Sequence, residues 1–310
     1  MSKSTVSTFQ LFEKFPDEAT AREYLEKRLW KNGPQCPKCK GTKNVSIRTG
    51  KDGFYMCNQC RFEFSVRTGT IFGRSHVPLH KWLYAMYLLV TARKGISSMQ
   101  LAKEIGVRQG TAWFILQRLR EACGAQQPRL KGVVEADETY FTGKESSRHM
   151  YDRIHSPRER SDKSLVIGIR ERGGDTVAKV IRTTGGRELR ATIAAQVENG
   201  SRVMTDAFAG YTSLDRDGYK HDSVNHVNGE YVREDVHTNS IESVWAVMKR
   251  GMHGVYHHAS KKHLGRYVDE FTFRLNAGKV QRHTFERLDS FVDNVVGRRI
   301  TYAQLTEGAV

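Results

Sequence analysis

The sequence predicts an α/β fold, a mixed central sheet flanked by helices, preceded by two smaller modules. Three observations predict it. Four of the five cysteines fall as two C-x2-C pairs, Cys36/Cys39 and Cys57/Cys60, with seventeen residues between the pairs. Apolar residues then recur at helical spacing from Leu79 to Arg120. After Pro128 short β-rich runs alternate with helical ones in the order strand, strand, strand, helix, strand, helix. At about 150 residues per domain, 310 residues accommodate two domains and a small third module.

Charge narrows the partners. Fifty Lys and Arg against 34 Asp and Glu give a net charge of +16, with a pI of about 9.7. Such an excess favours a polyanion, because each neutralised phosphate releases condensed counterions. Nucleic acid is the leading partner and an anionic membrane surface the second. The longest apolar run, Trp82 to Val90, falls far short of the ~20 residues that cross a bilayer, and the first twenty residues lack the apolar core of a secretory signal. No membrane span is expected, and a reducing, cytoplasmic compartment is.

Residues 1–30 read as a helical lead-in and residues 31–72 as the cysteine module. Two tight knuckles that each present two sulfurs to one ion suit a tetrahedral thiolate site, so Cys36, Cys39, Cys57 and Cys60 are read as ligands of a structural zinc ion. Between them, Val45–Arg48 and Phe54–Met56 form a hairpin turning at residues 50–53. A disulfide pair or redox C-x-x-C is the alternative, disfavoured by the reducing compartment and by the missing βαβ context. Cys123 reads as an ordinary buried thiol.

Residues 78–124 read as a helix-turn-helix-like module. A strongly apolar helix over Leu79–Ala92 precedes a short helix capped by Ser97-Ser98 and ended by Gly106, and a second helix over Gln109–Leu119 follows. In such a pair the second helix can enter the DNA major groove, which makes Arg108, Gln109 and Thr111 candidate DNA contacts. A helical spacer with solvated polar residues is the bland alternative.

Further along, residues 132–141 read as a strand with an acidic interruption, Leu165–Arg170 and Thr176–Arg182 as strands, Ala191–Val197 as a helix and Arg202–Thr205 as a strand ending at Asp206. A polar insertion separates the first two strands at Lys144–Lys163. Asn228-Gly229 suggests a type I′ hairpin turn, and Ser240–Arg250 a helix closed by Gly251. Acidic residues on two strands and a later helix can converge at a sheet edge, where crowded carboxylates repel unless divalent cations lie between them. The chosen set is Asp137, Asp206 and Glu242, with Mg²⁺ or Mn²⁺, two ions in all, as the cofactor. Each has an ordinary alternative: Asp137 a solvent-facing strand-end residue, with Glu135 or Glu138 functional instead; Asp206 a turn residue; Glu242 the last member of a capping box begun by Asn239. Lys249, seven residues after Glu242, shares its helix face, while Ile241, Val244, Trp245 and Met248 form the packed side.

The stretches Ala136–Tyr140, Thr205–Tyr211 and His237–Arg250, followed by Gly254–His257 and Tyr267–Phe271 with Arg274 and Asn276, resemble the DDE transposases of bacterial insertion sequences, in the ISXO-type group with an N-terminal zinc ribbon. The resemblance runs from about Leu11 to Tyr302, and thirty-five residues separate Asp206 from Glu242, as in that superfamily. It implies a ribonuclease H-like catalytic domain over residues 130–280 and a C-terminal basic tail over residues 281–310. Asp137, Asp206 and Glu242 would be the metal-binding triad, Lys249 the basic companion, Lys249 and Arg250 DNA contacts, and His237 and Asn239 supporting or DNA-contact candidates. The implied activity is metal-dependent cleavage at terminal inverted repeats in double-stranded DNA and transfer of the 3′-OH to target DNA, by a homodimer or larger assembly at the nucleoid. Basic residues of the tail, Lys279, Arg282, Arg287, Arg298 and Arg299, would touch flanking phosphates or form a solvated face. A nuclease that cuts without joining and a transposase-derived DNA-binding regulator are the competing readings.

Overall fold

The structure, a computed structural model, describes residues 5–124, 127–141 and 164–307. The insertion expected at residues 144–163 lies outside the described residues. The chain divides into two compact units, one of Met1–Ala125 with Ala277–Val310 and one of Gln126–Asn276.

The first unit opens with helices α1 (Thr8–Lys14) and α2 (Glu18–Leu29). Ser7 caps α1 in a capping box with Gln10, and the Asp17 carboxylate accepts the Thr20 N–H at the start of α2, so each helix begins where a short polar side chain satisfies an orphan amide. The ribbon follows as an antiparallel sheet of β1 (Val45–Ile47), β2 (Phe54–Cys57) and β3 (Phe62–Ser65), in that order. The expected hairpin is β1–β2; β3 was not foreseen. Trp30, Tyr55 and Phe64 pack together beside the cysteines, and the Tyr55 hydroxyl donates to Glu26 on α2 at 2.9 Å.

Helix α3 (Leu79–Thr91) is buried along most of its length, as its run of apolar residues requires. After it, α4 (Ser98–Ile105) is capped by Ser97 and ends at Gly106 in the left-handed conformation (φ 64°), which lets α5 (Gln109–Cys123) turn back. Leu101, Ala102, Ile105, Ala112, Ile115, Leu116 and Leu119 are buried. Trp113 is half-buried against Tyr302, and Cys123 is buried.

The second unit is built on five strands: β4 (Val133–Phe141), β5 (Ser164–Glu171), β6 (Thr176–Ile181), β7 (Arg202–Asp206) and β8 (Lys220–Val224). Their order across the sheet is β6-β5-β4-β7-β8; β4, β5 and β6 are antiparallel neighbours, whereas β7 and β8 run parallel to β4. This is the mixed sheet the α/β expectation requires. Helix α6 (Gly186–Gln196), which links β6 to β7, contributes Leu189 and Ile193 to a core with Val134, Ala136, Ile167 and Val203. Helices α7 (Asn239–Gly251) and α8 (Lys261–Leu275) contribute Ile241, Trp245, Met248, Val268 and Phe271 to a second core with Val166 and Ala178. Successive residues of β4 and β5 therefore serve different cores, as the two-residue strand period dictates.

Several sequence expectations differ. The hairpin at Asn228-Gly229 does not form: Asn225 accepts the N–H groups of Val227 and Asn228, closing a 3-10 turn over His226–Asn228, with β8 ending just before it. Gly251 does not close α7, because its backbone stays helical (φ −68°) and the chain continues into a single π turn over Met252–Tyr256. The helix expected at Ala191 already starts at Gly186, where Gly186 approaches the Gly210 carbonyl too closely to accept a side chain.

Within the segment expected as a tail, residues 281–307 fold into the first unit instead. Helix α9 (Thr284–Val292) packs on α2 and α3 within the first unit, and α10 (Tyr302–Thr306) follows it. Arg287 is 2% exposed and donates to the Val90 carbonyl at 2.7 Å and to Thr284 at 3.0 Å, so it is unavailable to phosphates. Its amphipathic helix needed an apolar surface to cover, and α3 supplies it.

Candidate active site

Strand β4 carries three acidic residues inside the second unit. Asp137 and Glu138 alternate across it, and Glu135 shares the Asp137 face. The parallel register of β4 with β7 ends at Glu135 opposite Met204; carried two residues further, it sets Asp137 beside Asp206, the last residue of β7. Asp206 is braced by the Phe208 N–H, which donates to its Oδ1 at 3.2 Å.

Trp245 of α7 donates its indole N–H to Asp137 Oδ2 at 2.8 Å. Gly168, paired with Asp137 across β5, makes room for the indole: a Cβ there would meet the Trp245 ring at 2.5 Å and Ile241 at 2.8 Å. Burial pushes the Asp137 carboxyl up to about 6, and the charges of Asp206 and Glu242 add to the shift while the Trp245 hydrogen bond opposes it. Glu138, on the opposite face, is pushed up to about 7 by burial, with Asp206 and Asp137 adding to the effect and Tyr211 opposing it.

Glu242 sits exposed in the first turn of α7, where its Oε1 accepts from Thr238 Oγ1 at 3.3 Å. The capping box begun by Asn239, the ordinary alternative for Glu242, is absent: the N-cap is Thr238, whose side chain makes no capping bond. The cap comes from the sheet instead. Glu135, fully buried, accepts the Ser240 and Ile241 N–H groups at 2.8 and 3.1 Å and the Ser240 hydroxyl at 2.9 Å. Arg172 pairs with the same carboxylate at 2.9 Å, and His237 Nδ1 lies 3.4 Å from it. A negative charge at the positive end of a helix, held by backbone amides, is favourable and directional. Glu135 thus fixes the end of α7 that carries Glu242.

Lys249 and Arg250 are exposed further along α7, Lys249 on the Glu242 face, and Asn239 is exposed at its first turn. Arg108, Gln109 and Thr111 are exposed at the start of α5 in the other unit, with Gln109 donating to Ser98 Oγ at 2.7 Å. The sequence reading missed the pairing of Trp245 with Asp137 and the capping role of Glu135. A buried Trp whose N–H needs an acceptor was the one available signal.

The four cysteines converge. Their sulfurs all lie within 4.8 Å of one another, with Cys36–Cys60 and Cys39–Cys57 each 3.6 Å apart. A tetrahedral Zn–S distance of about 2.3 Å sets sulfurs about 3.8 Å apart, so the four thiols fit one zinc ion. The Cys60 N–H, pointing at the Cys57 sulfur, draws that thiol down to about 7. Among the described residues this is the cluster whose ligand atoms gather that tightly; the oxygens of Asp137, Asp206 and Glu242 do not.

A four-cysteine ribbon in one unit and, in the other, a mixed five-stranded sheet bearing neighbouring carboxylates beneath a capped helix define a two-unit α/β protein with a zinc-ribbon module. Residues 129–276 match the ISXO2-like transposase domain, and residues 16–63 match the transposase zinc-ribbon domain. A protein of Halobacterium salinarum, described as an uncharacterized protein in transposable element ISH50, is 32% identical over 286 residues, covering 88% of this chain and 93% of that protein. The chain belongs to the ISXO2-like transposase family. Among solved structures, a pre-cleavage Mos1 transpososome aligns at 11% identity over 71% of this chain and 79% of the other, with a TM-score of 0.31. The Mos1 strand transfer complex aligns at 10% identity over 63% and 76%, with a TM-score of 0.25. No described helix is long and apolar enough to cross a membrane.

Proposed function

We propose that the chain binds the terminal inverted repeats of its own element and cuts and joins DNA there, with Asp137, Asp206 and Glu242 as the metal-binding triad. The observation that carries this reading is the juxtaposition of Asp137 and Asp206 on adjacent parallel strands, with α7 bringing Glu242 close enough to raise the Asp137 carboxyl. The donor set fits Mg²⁺ or Mn²⁺: three carboxylates are the hard oxygen ligands those ions take. When bound, a pair of such ions activates the attacking oxygen and stabilises the leaving one.

The chain's own residues do the positioning. Trp245 holds Asp137 in one orientation, and Glu135 holds the first turn of α7. Lys249 presents its ammonium on the same helix face as Glu242, where it meets a phosphate. Water attacks the phosphodiester at the element's end and the P–O3′ bond breaks, leaving a 5′-phosphate and freeing a 3′-OH; that hydroxyl loses its proton and attacks a target phosphodiester, whose own P–O3′ bond breaks so that the target 3′ oxygen leaves as a hydroxyl. The exposed residues Arg108, Gln109 and Thr111 of the first unit serve end recognition, and two or more copies hold the paired ends. The zinc ribbon shares the unit that carries them.

The test is incubation of the purified protein with Mg²⁺ and labelled duplex carrying the sequences that flank its gene, beside Asp137→Asn and Asp206→Asn. Nicks at a defined end and joined products in the wild type alone support the reading. Each substitution should abolish cleavage and leave DNA affinity unchanged or slightly higher, because it removes negative charge and no basic contact. Equal cleavage by the variants would remove these carboxylates from the site, and cutting without joined products would favour the nuclease.

A further inference from the structure

Beyond the carboxylates, α7 runs without a break into the π turn Met252–Tyr256. Single π turns inside α-helices recur at functional sites, because they displace side chains that a regular helix would stack in line. The turn ends at His257, a residue with a side chain held at φ 58° and ψ −40°, a sparsely populated conformation that persists only where neighbours enforce it. The Tyr256 hydroxyl donates to Glu270 at 2.6 Å, Arg274 donates to the Tyr256 hydroxyl at 3.2 Å and pairs with Glu270, and the Tyr256 ring packs edge-on against Tyr267 and Phe271.

This braced turn walls a cavity of about 80 Å³ between the end of β4 and the start of α8. Its polar lining includes Lys249, His253, His257 and His258, and Met252 and Leu264 supply apolar surface. None of its described lining residues is acidic, and none of the four basic side chains has an ion-pair partner among the described residues. An ammonium and three imidazoles around a small opening offer several N–H donors and no carboxylate, which is the chemistry that receives an oxyanion. The seven residues from Glu242 to Lys249 span about 10 Å along the helix, or about three nucleotides of duplex rise.

We propose that this cavity is a subsite for one backbone phosphate of the DNA strand, with His253, His257 and His258 donating to it beside Lys249. The proposal rests on the DNA-processing reading above and deepens it: the π turn sets the register of the strand that enters the triad. A phosphate contact fixes register without reading bases.

The experiment uses the full-length, zinc-loaded protein and a fluorescent duplex of the gene-flanking sequence. Two variants leave Lys249 in place: the double substitution His253→Ala with His258→Ala, and His257→Asn, whose side chain tolerates positive φ. Affinity is measured from low to moderate NaCl, and again with single methylphosphonates that neutralise one phosphate at a time. The double variant should bind about tenfold more weakly, the loss expected when hydrogen bonds to a charged group are removed. Its log–log salt slope should be shallower by about 0.9, the contribution of one phosphate. His257→Asn should change in the same direction. In the wild type, one methylphosphonate within about three nucleotides of the cut should weaken binding, and in the double variant the same neutralisation should have no further effect. An unchanged slope and an unchanged methylphosphonate profile would overturn the subsite, as would weaker binding accompanied by a lowered melting temperature and an unchanged slope. If the variants behave like a wild type that binds and cuts, only the subsite fails; if the wild type neither binds nor cuts, the proposed function fails with it.

Discussion

Glu135 brings a carboxylate into a fully buried position, where it caps the start of α7 and pairs with Arg172. Two backbone amides, a hydroxyl and a guanidinium converge on it, so its charge is stabilised by directed dipoles instead of water. Removing it leaves Arg172 without its carboxylate, with only the His237 carbonyl among the described residues to accept from it, and leaves the first amides of α7 facing a cavity that cannot satisfy them. Glu135→Ala should therefore cost about 3–5 kcal/mol, the range for breaking a buried ion pair by deleting one partner. A urea titration checks this through its midpoint. Glu135→Gln keeps the acceptor for the backbone amides and should lose less. If Glu135→Ala melts like the wild type, the cap is not what holds α7 against β4. The sequence left Glu135, Asp137 and Glu138 as rivals on one strand, since alternation names two faces but not which face meets a helix.

At the scale of the element, α7 sits where it does because β5 has a glycine beneath it. The indole of Trp245 lies over Gly168, and from there its N–H reaches Asp137. Gly168→Ala inserts a methyl group into the ring's place, which in a packed core costs about 1–3 kcal/mol in displaced neighbours. The expected outcome is a lower melting temperature together with changed Trp245 fluorescence, since the indole must lift away from the carboxylate; an unchanged emission spectrum would show that the ring was not displaced. Strand β8 was illegible for the opposite reason. Lys220–Val224 is an edge strand of mostly polar, half-exposed residues, and its pairing with β7 is made by the backbone, which leaves no trace in the hydropathy pattern. Helices α3, α4 and α5 were readable because their apolar spacing, their caps and Gly106 all point to the same boundaries.

At the scale of the whole molecule, metal and carboxylates belong to separate compact units, so their stabilities should separate. Chelation of zinc, or Cys57→Ser, should unfold the ribbon, since a thiolate site contributes its binding energy directly to folding. Calorimetry should then show the transition of the ribbon's unit lowered and that of residues 126–276 in place, with DNA binding weakened. One transition moving as a whole would contradict independent units. The C-terminal segment tests the limits of local reading: its Lys and Arg content suggested a basic tail, yet Arg287 is buried beneath α3 and the segment completes the first unit's core. By itself the sequence determined the four cysteines that converge in the ribbon, the helix pair, the mixed α/β character and the candidate triad, because metal-ligand spacing, helical period, capping residues and family motifs are written within short windows. Only the tertiary structure decided that α7 is capped from the sheet by Glu135, that Gly168 seats Trp245 on Asp137, and that the last helices close the first unit. Those depend on which surfaces meet, and contacts between residues a hundred or more apart are set by packing and register that no local pattern records.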